Sequence, residues 1–223
     1  MYKWGYFLET NYYDIDKLIS QKEQNEKIEI VWVARFIEWK HPEIAIFLAK
    51  NLKKQNYNFK LKMLGAGKLE DDMKRRVKEF NLEDVVEIVG QVPSDKVKDY
   101  YEKANIFIGT SDSNEGWGAV VNESMNAGCA VIANKKMGSV PFLIKNKENG
   151  MIYSTYQELE DATKSVIDNK ELRTKISKNA YKYITEKWTA KIGAENLVKL
   201  FESILNGKEI NVTEGPASKA TKM

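Results

Sequence analysis

The sequence has one cysteine and one histidine in 223 residues. A single thiol, Cys129, excludes an intrachain disulfide and points to a reducing compartment. Its neighbours Ala130, Val131 and Ile132 are apolar, so it reads as a small buried residue rather than a reactive thiol. No run approaches the about 18 to 20 apolar residues that cross a bilayer. The opening MYKWGYFLE has neither the basic region nor the long apolar run of a signal peptide, so a soluble, cytoplasmic protein is expected. Charge of one sign is also lacking. The 35 basic and 32 acidic residues are scattered to a net +3, which leaves no basic stripe for nucleic acid and reads mostly as solvated helix faces.

What is present is ordinary globular material, 43% hydrophobic and 30% charged, enough to bury a sizeable core in one large domain with extensions. Residues 1–27 are aromatic and then charged without a sustained period, and read as a connector. The domain proper is expected over 28–206. IEIVWVA at 28–34, FKLKMLG at 59–65, VVEIVG at 85–90, NIFIGT at 105–110 and CAVIAN at 129–134 are short apolar runs rich in β-branched residues. Helix-like segments at 43–54, 69–80, 94–103 and 118–127 alternate with them. This is the pattern of an α/β protein with a Rossmann-like, doubly wound parallel sheet. Residues 157–206 are helical in period, with Leu159, Ala162, Val166 and Ile167 on one face and Leu197, Leu200, Phe201, Ile204 and Leu205 on another. Residues 207–223, rich in turn formers, are expected to form a flexible tail.

Open parallel sheets bind ligands beyond the carboxyl ends of their strands, so the loops there carry the functional reading. The fourth strand leads into Glu115-Gly116-Trp117-Gly118-Ala119-Val120-Val121-Asn122-Glu123. Two carboxylates eight positions apart bracket a glycine-rich turn that opens a helix, which allows Glu115 in the loop and Glu123 on the helix to face the same end of the sheet. Gly116 and Gly118 permit close approach to the backbone, and a helix N-terminus suits a phosphate. Carboxylates accept from hydroxyls, so a polyhydroxylated ligand with a central phosphate fits this pattern. Read singly, both glutamates could be solvated surface positions. The first strand leads into Arg35 and Lys40, which could likewise be plain surface cations, but lie where a diphosphate would need neutralising charge.

Together these residues resemble the glycosyl transferases group 1, a large group of retaining GT-B glycosyltransferases. The likeness spans about 28–206 and rests on the Glu-x7-Glu of EGWGAVVNE, the Arg-x4-Lys of RFIEWK, and the stretch VEIVGQVPSDKVKDYYEKANIFIGTS. The resemblance implies that the chain is the C-terminal, nucleotide-sugar-binding half of a GT-B fold with C-terminal helices, lacking the N-terminal acceptor domain. It implies that Arg35 and Lys40 bind the diphosphate, Glu123 the ribose, and Glu115 the hydroxyls of the transferred sugar. Backbone groups of Gly118, Ala119 and Val120 would lie near the phosphates, Gly116 would belong to the same donor-binding turn, and the loop around Val92 and Ser94 would frame the base. The substrate would be a UDP- or GDP-sugar, with no cofactor and no metal. A glycan or lipid-linked acceptor would bind through the missing domain, and membrane association of a full-length protein is left open.

Two departures from the family pattern stand out. His41-Pro42 follows the lysine where glycine is common, and Phe142 in GSVPFLI stands where an acidic residue is common. His41, beside a proline that can begin a helix, reads as local structure rather than a catalytic base. Gly65-Ala66-Gly67 does not continue as a dinucleotide fingerprint, which sets aside a dehydrogenase, and reads as a strand-to-helix turn. Trp117 could stack on a ligand or simply pack. The competing function is a non-catalytic nucleotide or nucleotide-sugar binding module.

Overall fold

The computed structural model describes residues 1–220. Six parallel strands form one sheet: β1 (Ile28–Val33), β2 (Phe59–Leu64), β3 (Val86–Gly90), β4 (Ile106–Gly109), β5 (Ala130–Asn134) and β6 (Met151–Tyr153). Their spatial order is β3-β2-β1-β4-β5-β6. The order reverses direction between β1 and β4, which pair through Ile30↔Ile106 and Val31↔Phe107. The loops that leave these two strands therefore diverge and open a crevice at their carboxyl ends.

Helices cover both faces, which is why the strands are apolar on both sides. Ile30, Trp32, Leu61, Met63, Ile106, Ile108 and Ile132 point into one core. There α2 (Pro42–Lys54) contributes Ile46, Ala49 and Leu52, and α7 (Tyr156–Asp168) contributes Leu159, Ala162 and Val166. Val31, Leu64, Phe107, Val131 and Ala133 point into the other. It receives Tyr101 of α4 (Ser94–Lys103), Val121 and Met125 of α5 (Val120–Asn126), and Ala180, Tyr183 and Ile184 of α8 (Lys170–Glu186). Two further helices are α3 (Glu70–Glu79) and the short α6 (Val140–Leu143). Among the described residues no helix is long and apolar enough to cross a membrane.

Three segments differ from the sequence reading. Within 1–27, residues Ile15–Lys22 form α1, capped by the Asp14 side chain. It is pinned by Lys22, whose buried Nζ donates to the carbonyls of Tyr101 (3.0 Å) and Ala127 (2.6 Å) at the C-terminal ends of α4 and α5. A cation at two helix C-termini answers both dipoles at once. The tail expected to be loose instead runs back along the N-terminus: Lys3 donates to the Ser218 carbonyl at 2.8 Å, Ala217 donates to that of Lys3 at 2.7 Å, and Ala217 and Ser218 are buried. Residues 221–223 of that tail lie outside the described residues. In α9 (Ala190–Leu205) the expected apolar face is split. Leu200 and Gly193 are buried, the latter against the Phe7 ring, whereas Phe201, Ile204 and Leu205 are exposed.

Candidate functional site

The loop after β1 is shaped from beneath by the Gly65-Ala66-Gly67 turn. A Cβ on Gly65 would lie 1.9 Å from the Ala34 carbonyl oxygen, and one on Gly67 would lie 2.4 Å from that of Phe36, so only glycine permits this approach. The Phe36 amide donates to the Ala66 carbonyl (3.0 Å), and Phe36 itself is fully buried. This anchor turns Arg35 outward, its guanidinium over the Trp39 ring at 5.8 Å, and starts a turn of 3-10 helix, Glu38–Lys40.

Lys40 is thereby brought to Glu115, and the two form an ion pair in which both side chains are largely shielded from solvent. Ser111 Oγ also donates to Glu115 Oε2 at 3.3 Å. Burial pushes the Lys40 ammonium down to about 8, helped by the like charge of Arg35 and opposed by Asp112. Contact with the Glu115 carboxylate works against that fall, so the ammonium keeps its proton at neutral pH. Backbone links lace the same two loops. The Asp112 amide donates to the Trp39 carbonyl (3.0 Å), and Thr110 Oγ1, itself accepting from Trp32 Nε1 at 2.7 Å, donates to the Lys40 carbonyl.

Past Glu115 the chain turns at Gly118, whose φ of +82° is left-handed and suits glycine. Among the described residues the amides of Gly118, Ala119 and Val120 have no hydrogen-bond partner. Gly116 is exposed and no atom would crowd a side chain there. Trp117 is buried, not offered to a ligand: it stacks on Phe142 (5.6 Å) and Trp188 (5.8 Å), and its Nε1 donates to Asn122 Oδ1 at 2.8 Å. Phe142, the departure from an acidic residue, therefore belongs to an aromatic stack under the loop. Gly138 supports the turn from the side, because a Cβ there would meet the Gly116 carbonyl oxygen at 2.0 Å. Gly138→Ala is expected to force the 115–118 loop outward, costing about 1 to 3 kcal/mol in a denaturant titration.

Glu123 lies one turn into α5 and accepts from the Tyr101 hydroxyl at 3.2 Å. Burial raises its carboxyl above the usual range, against the pull of that hydrogen bond. It shares a cavity of about 200 Å³ with Ser94, Tyr101, Asn126 and the N-terminal segment around Asn11. Val92 lines a different groove, beside Gln91, Lys62 and Lys96. The structure thus joins Lys40 to Glu115 and sets Ser94 with Glu123, while Val92 faces elsewhere. Tyr101, Ser111 and Asp112, which touch these groups, had no signal of their own in the sequence beyond their place after or between strands.

Residues 14–183 match the family model described as Glycosyl transferases group 1. A protein of Salmonella typhimurium named as a candidate colanic acid biosynthesis glycosyltransferase, WcaL, is 32% identical over 114 residues, 49% of this chain and 28% of that one. The chain spans about a quarter of the length of the curated relatives it matches. Among solved structures, the C-terminal domain of a glycosyl transferase group 1 family protein from Francisella tularensis aligns with a TM-score of 0.67 at 24% identity. The alignment covers 81% of this chain and 96% of that domain. HepE of Anabaena, solved with UDP and glucose, aligns with a TM-score of 0.67 at 20% identity over 85% of this chain and 52% of that one. These structural likenesses concern the fold.

Proposed function

Because this chain belongs to the glycosyl transferases group 1 family, we propose that it supplies the donor-binding half of an enzyme that transfers a sugar from a nucleoside diphosphate sugar to an acceptor hydroxyl, with retention at the anomeric carbon. The observation that carries this reading is the contact of Lys40 with Glu115 at the sheet's switch point, beside three unpartnered amides. A cation, an acceptor and free donors at one place match a ligand that is anionic in its middle and hydroxylated at its end.

In this reading Arg35, Lys40 and the amides of Gly118, Ala119 and Val120 receive the diphosphate. They stabilise the charge that grows on it as the bond to the sugar breaks, the preorganised effect that contributes about 3 to 4 kcal/mol per donor in other enzymes. Glu115 accepts from the sugar's hydroxyls and orients it; its engagement with Lys40 supports a positioning role, with no covalent sugar-enzyme intermediate. Glu123 accepts from the ribose, with Tyr101 holding the carboxylate in place, and Ser94 borders the base. Val92 shapes the backbone behind it, and Gly116 leaves room for the sugar. HepE, of like fold, was solved with UDP, which favours a uridine donor. The colanic acid relative favours a glycan acceptor; in this reading that acceptor, or a lipid-linked one, is held by the part of the enzyme that pairs with this half, in the cytoplasm.

Calorimetric titration with UDP, GDP and their sugars tests this reading. One nucleotide is expected to bind, more weakly to Arg35→Ala and to Glu123→Ala. Glu123→Ala is expected to lose about tenfold, the worth of one charge-assisted hydrogen bond to a hydroxyl. Binding without transfer to any glycan acceptor, even in the full-length enzyme, would favour the binding-module reading. No binding in that enzyme would refute both.

A further inference from the structure

His41 is the only histidine, and its backbone lies in the left-handed region, φ +48° and ψ +54°. Glycine adopts that conformation freely, whereas a residue with a Cβ does not, and the residue ahead of a proline is pushed further toward extended backbone. Strain of this kind persists where the surrounding contacts fix the residue. Those contacts are two carboxylates, one at each ring nitrogen. Nδ1 lies 3.1 Å from Glu43 Oε1, and Nε2 lies 3.0 Å from Asp112 Oδ2.

Ionised carboxylates only accept hydrogen bonds, so both nitrogens must donate, and a ring that donates from both is an imidazolium. Burial alone would lower its pKa, but Asp112 and Glu43 raise it above the ordinary histidine value. Asp112 is an ionised partner in turn: its other oxygen accepts from the amide (2.8 Å) and side chain (3.0 Å) of Asn114, and these bonds with His41 hold its carboxyl below the usual range. The charged groups around His41 are Glu43 on α2, Asp112 on the loop after β4, and Lys40 and Arg35 on its own loop. Glu38 turns away to Lys68 at 2.7 Å.

We propose that His41 is a positioning residue for the donor site: as an imidazolium it ties the loop bearing Glu115 to the loop bearing Arg35 and Lys40, so that the two halves of the diphosphate and sugar site keep one spacing. The inference rests on the donor-site reading above. Loss of the ring proton turns one of the two charge-assisted bonds into a lone pair facing a carboxylate. The tie between the Asp112 loop and the Lys40 loop then weakens, and the spacing of Lys40 and Glu115 is no longer held. Donor affinity therefore falls as pH rises through the His41 pKa.

Because there is one histidine, its ring protons give one titrating signal in an NMR spectrum, which reads the pKa directly. The second measurement is calorimetric affinity for the nucleoside diphosphate that binds, from pH 6 to 9, in the native chain, His41→Gly and His41→Asn. Glycine relieves the backbone and removes the charge; asparagine tolerates the left-handed backbone and keeps a neutral donor. The nucleotide's terminal phosphate titrates near pH 6 and cancels in the comparison. The expected results are a ring pKa above about 6.5, and a native affinity that falls several-fold across that pKa. Both variants are expected to bind several-fold more weakly at pH 6.5, without that step. A ring pKa at or below the ordinary value, or variants with native affinity and profile, overturns the proposal. A chain that binds no nucleotide at any pH overturns the donor-site reading itself and the positioning role with it.

Discussion

Replacing Lys40 with methionine is expected to weaken nucleoside diphosphate binding about a hundredfold, or about 3 kcal/mol. Methionine keeps the apolar stem, so the change removes charge with little loss of packing. Two effects add. The diphosphate loses a charge-assisted donor, and the Glu115 carboxylate, now unpaired and mostly shielded, faces the incoming anion. Glu115→Gln should instead leave binding of the bare nucleotide unimpaired. It releases Lys40, so UDP or GDP should bind as well as to the native chain, while the added affinity of the sugar-bearing form is lost. The pair also sets a pH dependence. The Lys40 ammonium is pushed down to about 8 by burial and by Arg35. A bound diphosphate raises it again, so above pH 8 each binding event takes up a proton and affinity falls as pH rises. Calorimetry at pH 7 and pH 9 in two buffers of different ionisation heat measures that uptake. Lys40→Met should lack the part of the uptake that sets in above pH 8.

Arg173→Met is expected to lower stability by about 3 to 5 kcal/mol, which for a chain of this size is a fall in Tm on the order of 10 °C. The guanidinium is buried and uses every edge. Nε donates to Glu23 Oε1 at 2.8 Å and Nη2 to Oε2, while Nη1 donates to the carbonyls of Val166 (2.7 Å) and Ile167 (2.9 Å) near the end of α7. Its removal takes a donor from each of two carbonyls and leaves the shielded Glu23 carboxylate with only Asn105 (3.3 Å) and the exposed Lys170 (3.8 Å), a larger cost than the net worth of the pair. Glu23→Leu combined with Arg173→Met should therefore recover part of the loss. The pair also predicts an acid limb. Burial acts to raise the Glu23 carboxyl, but Arg173, Lys170 and Asn105 bring it below its ordinary value. A depressed carboxyl contributes stability that is full above the unfolded pKa of about 4.5 and is lost as pH falls through the folded one. Thermal scans from pH 7 to pH 3 should show a larger loss in the native chain than in Arg173→Met, where only Lys170 and Asn105 still act on Glu23.

The strands were legible because a parallel sheet covered on both sides demands continuous β-branched runs, as in IEIVWV and AVIAN. Strand β6 was not, since its three residues, Met151–Tyr153, are too few to show a period. Helix α1 carries a weak signal in Asp14, Ile15, Leu18 and Ile19, masked by the charges around it. Cys129 is buried as its neighbours suggested, but the buried ammonium of Lys22 at 3.8 Å from its sulfur had no local signal. The candidate site was legible by position alone: Arg35, Lys40, Glu115 and Glu123 follow strands or open a helix. Contacts such as Lys40 with Glu115, 75 residues apart, or His41 with Asp112, depend on the sheet's crossover, which periodicity does not encode. The face of α9 misled because periodicity reports an apolar stripe without saying what covers it. Here Phe7 and the returning tail occupy the side bearing Gly193 and Asn196 instead.

The most direct test of the donor site is a map of amide chemical shifts on adding the nucleoside diphosphate to isotope-labelled chain. The account predicts the largest changes at Gly116, Gly118, Ala119 and Val120, with Arg35 and Lys40 next and Glu123 among the rest. Changes centred instead on the groove beside Val92 and Lys96, with residues 115–120 unmoved, would contradict it.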